Sequence, residues 1–367
     1  MRTKVLILLF INSLFLFASV PIGYYNTLNG KSSAALKTEL HNIICQDTTH
    51  YLGYGSGTGN TWQGFYSTDR NTTNNLVIDM YSDSLRYFPS NYVSLYYPGF
   101  GMPIQIEHSV PKSWWGCDID HPDCPAKDLN NLYPSDGKTN NYKSNHPLGI
   151  VSGTPTYTNS VSKIGAGSNY GYVGTVFEPA DQYKGDFARS YFYMATAYEH
   201  YTRKWDSTIS ENMMEPDTYP TLKPWAIQLL LQWGRQDPVS QKELTRVENV
   251  YAIQKNRNPF IDHPELIEYI WGTLKGTPYQ ISTDLQQIIE KPFNIKFNKN
   301  EDCFTVEYKV NDSIAYTIFS TNGIKICQGV NLTNTQIRIP KLKTGVYIFE
   351  ITSKNNTSKQ VLKIIHN

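Results

Sequence analysis

Hydrophobic positions change period several times along the chain. Near the N-terminus, "SSAALKTELHNIIC" puts Leu36, Leu40, Ile43 and Ile44 on one stripe at helical spacing, behind two serines able to cap, and a helix is predicted there. "GYGSGTGNTWQGFYSTDR" has no clear period and reads as loop. Its glycines form no phosphate cradle, because no Lys-Ser or Lys-Thr follows them into a helix. From Leu76 to Gly174, short strands alternate with long loops rich in Asn, Pro, Gly and Tyr. A helical half follows. "GDFARSYFYMATAYEHYTRKW" carries Phe187, Tyr191, Met194, Ala195 and Tyr198 at helical spacing, and "LKPWAIQLLLQWGRQ" does the same with Trp225, Leu229, Leu230 and Trp233. "PELIEYIWG" opens a last helix behind Pro264. These aromatic stripes predict core packing, with Arg189 and Arg203 structural or solvated.

The pattern shifts near residue 275. "KGTPYQISTDLQQIIEKPF" reads as a linker, and "FTVEYKV", "AYTIFST", "TQIRIP", "GVYIFEIT" and "KQVLKII" alternate as strands, punctuated by "TNG" and "KTG". The fold class expected is α+β, with a small β-sandwich at the C-terminus. The organisation expected is a signal peptide over 1–23, one large domain over 24–275, a linker over 276–292 and the sandwich over 293–367.

Charge and composition narrow the choices. The 367 residues carry a formal net charge of +1, so a polyanionic partner would need a local patch. Arg2 and Lys4 precede an apolar run, Val5 to Ala18, that is too short to span a bilayer comfortably. An exported, soluble, monomeric protein without a stable membrane span is expected. Export permits disulfides, and among the five cysteines Cys117 and Cys124 can close a small loop while Cys303 and Cys327 can staple the C-terminal part. Cys45 is then left over. Zinc on Cys117, His121 and Cys124 is the alternative, without a fourth ligand at a convincing spacing.

The candidate chemistry lies in "PIQIEHSVPKSWWG", where Glu107 and His108 end an alternating strand. A histidine there can act as a general base near neutral pH, and a neighbouring glutamate can hold a divalent metal. Strict alternation would point the two apart, so the geometry has to break, and Ser109 to Pro111 can break it. "DLNNLYPSDGKTNNYKSNHPLG" then offers Asp128, Asn130, Asn131, Asn140, Asn141, Lys143 and Asn145. On a helix, Asn140 and Lys143 would share a face. Amide oxygens with a carboxylate suit Mg²⁺ and suit zinc poorly.

The order strand, Glu-His, long loop and Asn on a helix resembles the ββα-metal nucleases, relatives of the HNH group. More closely the chain resembles the bacterial endonuclease I family of secreted nonspecific nucleases, through "WQGFYSTD", "IEHSVPKSWWG", "DLNNLYPSDGKTNNYKSN", "GDFARSYFYMAT", "LLLQWGRQDPV" and "QKNRNPFIDHPELIEYIW". The resemblance implies a ββα-metal core within a largely helical domain. It implies His108 as general base, Glu107 and Asn140 as ligands of one Mg²⁺ (Mn²⁺ or Ca²⁺ being alternatives), and 5′-phosphate products from DNA, with RNA a further substrate. Lys143 stands where the family usually carries Arg, as a helper at the phosphate, and Asp128, Asn131 and Asn145 become substrate-binding candidates. The chain departs from the pattern at Asn130, where relatives often have His, at Gly234 and at Lys143, which cannot make Arg's two-pronged contact. These departures keep open a rival, a surface nucleic-acid-binding protein with impaired catalysis.

Asp262 and His263 in "NRNPFIDHP" are read as structural, within a block of rigid turns before the last helix. "YTIFSTNGIKICQG", "IPKLKTGVYIFEI" and "QVLKII" resemble the type A sorting domain of the type IX secretion system, which implies secretion machinery as a partner and a secreted or cell-surface location.

Overall fold

The computed structural model describes residues 20–46, 49–88, 103–115, 125–200 and 212–281, and, beyond these, the strand residues of the C-terminal part. The segment 1–19 of the expected signal peptide, Cys117, His121, Cys124 and Arg203 lie outside the described residues. The chain divides into two units, one ending at Ile281 and the other beginning at Ser282.

In the first unit, α1 (Ser33–Ile44) forms where the sequence predicts it and buries Leu36, Leu40, Ile43 and Ile44. Ser32 stands at the N-cap without a side-chain cap bond. Ser33 Oγ instead accepts from Gly276 N–H at 2.9 Å. Residues read as linker are thereby tied down: Gly30 N–H donates to Tyr279 O and Tyr279 N–H to Lys31 O, both at 2.7 Å. The expected linker therefore includes a stretch, through Ile281, that belongs to the first unit.

The glycine-rich loop gives way sooner than its sequence suggests, to α2 (Thr61–Thr68). Trp62 and Phe65, three apart, face one cluster with Val77, Phe88, Ile104, Leu129, Leu132 and Val250. One short stripe in eight residues is too little for periodicity to separate from loop.

Strands β1 (Ile104–His108) and β2 (Leu132–Asp136) pair antiparallel, and α3 (Gly137–Lys143) follows without a break. A second antiparallel sheet has the order β3 (Tyr157–Thr158), β4 (Ser162–Asn169) and β5 (Tyr172–Pro179). Helix α4 (Lys184–Ala197) is buried along its whole length and packs on α5 (Pro224–Gln236), whose Ala226, Leu229, Leu230 and Trp233 close the main core. Next comes α6 (Gln241–Gln254), opened by a reciprocal cap between Ser240 and Glu243. Two short helices, α7 (Pro259–Asp262) and α8 (Leu266–Ile270), end the unit's regular structure. Arg189 of α4 is held by both oxygens of Glu243, at 2.5 and 2.9 Å, and Asp262 by Arg257 at 2.7 Å. His263 Nδ1 lies 3.3 Å from Glu265 Oε1. All three side chains have structural partners.

The C-terminal unit contains β6 (Phe293–Asn298), β7 (Cys303–Tyr308), β8 (Ile314–Ser320), β9 (Lys325–Asn331), β10 (Gln336–Ile337), β11 (Gly345–Ser353) and β12 (Lys359–His366). They form antiparallel sheets in the orders β10-β7-β6 and β12-β11-β8-β9. Cys327 is a free thiol, so the expected staple to Cys303 is not made. Cys45 is also free.

Candidate active site

The site is built from β1, β2 and α3. Asp136 ends β2 and caps α3, accepting from Thr139 N–H at 3.0 Å. The cap turns the helix back along β1. Asn140 Nδ2 donates to Gln105 Oε1 at 2.9 Å, and Lys143 Nζ donates to Glu107 Oε1 at 2.6 Å. Residues two apart on a strand share a face, and residues three apart on a helix share a face. The two contacts are therefore one seam: Gln105 and Glu107 meet Asn140 and Lys143. Asn141 is exposed and lines a separate cleft.

Glu107 and His108 both border one cavity of about 360 Å³, with Pro111, Lys112, Ser113, Ser144 and Asn145. The cavity sits where β1 ends. The chain bends over Ser109 and Val110, where Ser109 N–H extends the β1–β2 ladder to Asn131 O at 2.8 Å, and both neighbouring side chains border the one cavity.

His108 is fixed from three sides. Its ring stacks on Tyr54 with centroids 5.7 Å apart and planes 12° apart, and meets Trp115 edge-on at 5.6 Å. Nε2 lies 3.1 Å from the Ala126 carbonyl. A carbonyl oxygen can only accept, so Nε2 carries the proton and the neutral ring keeps its lone pair on Nδ1. Burial lowers the His108 pKa to about 4, against the opposing pull of the Ala126 bond. Burial also raises Glu107 above the usual carboxylate range, more than the Lys143 ammonium lowers it.

Among the described residues no three His, Cys, Asp or Glu side chains group to hold a metal. An ion here would rest on the Glu107 carboxylate, an asparagine oxygen, water and substrate. That hard, partly aqueous donor set fits Mg²⁺.

Asp128 and Asn131 have other work than the substrate contact expected of them. Asp128 is fully buried. Its Oδ1 accepts from Asn130 N–H and Gln254 Nε2, and its Oδ2 from the hydroxyls of Tyr193 and Tyr198, at 2.7 to 3.0 Å. Asn131 clasps the backbone of Val110, accepting from its N–H at 2.8 Å and donating to its carbonyl at 3.3 Å. Both are spent on holding loops that flank His108. Asn145 does border the cavity, whereas Lys143 is wholly buried behind Glu107.

The helical half fastens the same loops. Arg246 of α6 donates to the carbonyls of Leu129 and Leu132 while paired with Asp69, and Tyr191 of α4 donates to Ser109 O at 2.9 Å. Sequence reasoning missed Tyr54, Gln105 and the Ala126 carbonyl. The signal for Tyr54 was the glycine run after it: Gly55, Gly57 and Gly59 have φ of +103°, +101° and +80°, a backbone that disfavours other residues.

A histidine with a fixed tautomer, a carboxylate and the Asn145 amide around one open cavity, with Asn140 not among its lining residues, are equipment for hydrolysing a charged ester. The comparisons with known proteins make the class specific. Residues 32–265 match the family model for Endonuclease I, and residues 298–367 match that for the secretion system C-terminal sorting domain. An extracellular ribonuclease of Bacillus amyloliquefaciens is 34% identical over 250 residues, covering 68% of this chain and 78% of the relative. One of Bacillus subtilis (strain 168) is 33% identical over 252 residues, with the same coverage of 68% and 78%. Endonuclease-1 of Buchnera aphidicola subsp. Acyrthosiphon pisum (strain APS) is 27% identical over 135 residues, 36% of this chain and 44% of the relative. The chain belongs to the endonuclease I family. It is a secreted nuclease that carries a sorting tail, and no helix among its described residues is long and apolar enough to cross a membrane.

Proposed function

We propose that the protein hydrolyses phosphodiester bonds of DNA, and of RNA, with little sequence preference, using His108 as general base and leaving 5′-phosphates. The observation that supports this reading is the bond from His108 Nε2 to Ala126 O, which leaves Nδ1 able to take a proton on a side chain that borders the cavity. Water attacks phosphorus, its proton passes to Nδ1, and the bond to the 3′-oxygen breaks. Glu107 and the Asn140 amide oxygen would hold one divalent ion, Mg²⁺ in this reading and Mn²⁺ or Ca²⁺ as substitutes, which would supply positive charge to the reacting phosphodiester. Asn145 and Lys112, on the cavity wall, contact phosphate. Lys143 keeps Glu107 ionised and oriented rather than reaching the substrate, because its ammonium is already bound to that carboxylate. Contacts to phosphate in preference to base edges account for weak sequence preference.

The β1-β2-α3 unit is read as the ββα-metal core, and the C-terminal sheets as a sandwich that addresses a monomeric protein to the secretion machinery. A plasmid-nicking assay with Mg²⁺ and with EDTA tests the activity. Removing a general base costs about 10²–10⁴ in rate, so His108→Ala is expected to lose that much while still binding nucleic acid. Wild-type protein that binds without cutting would favour the impaired binding protein instead.

A further inference from the structure

A second polar cleft, about 560 Å³, opens on the other side of α3 from the seam with β1. Its walls include Arg86, Asp136, Lys138, Asn141, Tyr157 and Asn159. Arg86 is neutralised by Asp136 at 2.8 Å. Lys138 is exposed and has no ion pair among the described residues, so the cleft keeps one uncompensated positive charge. Beside it, Tyr142 stacks on Tyr157 with centroids 4.2 Å apart and planes 15° apart. Lys138 Nζ stands over the same Tyr157 ring, 5.7 Å from its centroid. Tyr142 nevertheless remains 46% exposed, with Tyr157 covering only one side of its ring.

Resting on the nuclease reading above, we propose that this cleft binds the single-stranded nucleic acid flanking the scissile phosphate, with a base stacked on Tyr142 and a phosphate against Lys138. Tyr142 at the rim and Lys138 on the wall both contact the Tyr157 ring, and an open aromatic ring combined with an ammonium grips unstacked strands without reading sequence. The cleft and the cavity flank one helix: Lys138 and Asn141 of α3 line the first, and Ser144 and Asn145, directly after α3, line the second. The Asn141 amide on the same wall supplies a neutral donor to sugar or phosphate oxygens. A duplex keeps its bases in the stack and cannot offer one to Tyr142, so the cleft favours single strands.

The test is fluorescence anisotropy with labelled single-stranded DNA of 4 and 12 nucleotides in EDTA, where cleavage does not intervene. Wild type is expected to bind the 12-mer more tightly than the 4-mer. Tyr142→Ala should weaken 12-mer binding at least about fivefold, as loss of one base stack implies. Lys138→Ala should lower the slope of log Kd against log salt by about 0.7, one phosphate contact. Both residues are exposed, and unchanged melting temperatures confirm that the variants fold. Unchanged 12-mer affinity in Tyr142→Ala, or an unchanged salt slope in Lys138→Ala, overturns the proposal. Because the assay contains no metal and scores no cutting, its failure would leave the His108 reaction standing, and failure of that reaction in the nicking assay would not alter these affinities.

Discussion

Lys143 and Glu107 form an ion pair withdrawn from water, 2.6 Å from nitrogen to oxygen, with side chains 0% and 9% exposed. Deleting one partner strands the other charge inside the protein, which typically costs about 3–5 kcal/mol. Lys143→Met is therefore expected to destabilise the first unit by that order in urea unfolding. The double variant Lys143→Met with Glu107→Gln should recover much of the loss, because no charge is left alone. Equal stability of Lys143→Met and wild type would refute the buried pair.

The lowered pKa of His108 has a definite sign. Unfolded, the ring takes a proton below about 6.5. Folded, it resists until about 4. Its contribution to stability is therefore complete above pH 6.5 and is lost as pH falls from there to about 4, a change of roughly 3 kcal/mol at most by linkage. Subtracting the unfolding free energy of His108→Asn from that of wild type, in EDTA, should give a difference that drops through this window. A flat difference would contradict the burial of a neutral ring.

Tyr54 stacks on His108, the proposed general base, without lining the cavity. Removing its ring should loosen His108, and aromatic pairs contribute about 0.5–1.5 kcal/mol. Tyr54→Ala is expected to lower kcat by roughly two- to tenfold on that energy scale, while Tyr54→Phe keeps the ring and the rate. Steady-state cleavage rates for the two variants decide this; equal rates for Ala and Phe would show that the stack does not position the base.

Asp128 separates a structural from a substrate-binding part. Asp128→Ala leaves the Tyr193, Tyr198, Gln254 and Asn130 donors without their acceptor, and each unsatisfied buried group costs about 1–3 kcal/mol. A large fall in melting temperature is expected. In the fraction that stays folded, KM should match wild type. A raised KM at unchanged stability would restore the substrate role.

Much of this arrangement was legible in the chain. Helical stripes located α1, α4, α5 and the start of α8; α1 and α5 bury one face, whereas α4 is buried on every side. α6 was not singled out, although Ser240 and Glu243 write its reciprocal cap into the sequence. α2 was hidden by its brevity and its glycine-rich lead. Glu107, His108, Asn140 and Lys143 stand out as a group through the family resemblance, since type and spacing alone leave Asn140 one of several asparagines in its stretch. Their pairing does not: which asparagine faces Gln105 and which faces solvent depends on how Asp136 starts the helix. The work of Asp128 and Asn131 was equally hidden, since their partners come from α4, α6 and a turn at Val110, far away or across a loop. Spacing shows which polar groups lie near one another, while only packing shows which of them are already satisfied.

In the proposed reaction Glu107 and Asn140 share one ion beside His108. Anomalous scattering from crystals soaked in Mn²⁺ measures it most directly. The expected result is a peak bonded at about 2.1 Å to a Glu107 carboxylate oxygen and to Asn140 Oδ1, with His108 Nδ1 facing the same cavity. A peak held without Asn140, or no peak at Glu107, would contradict it.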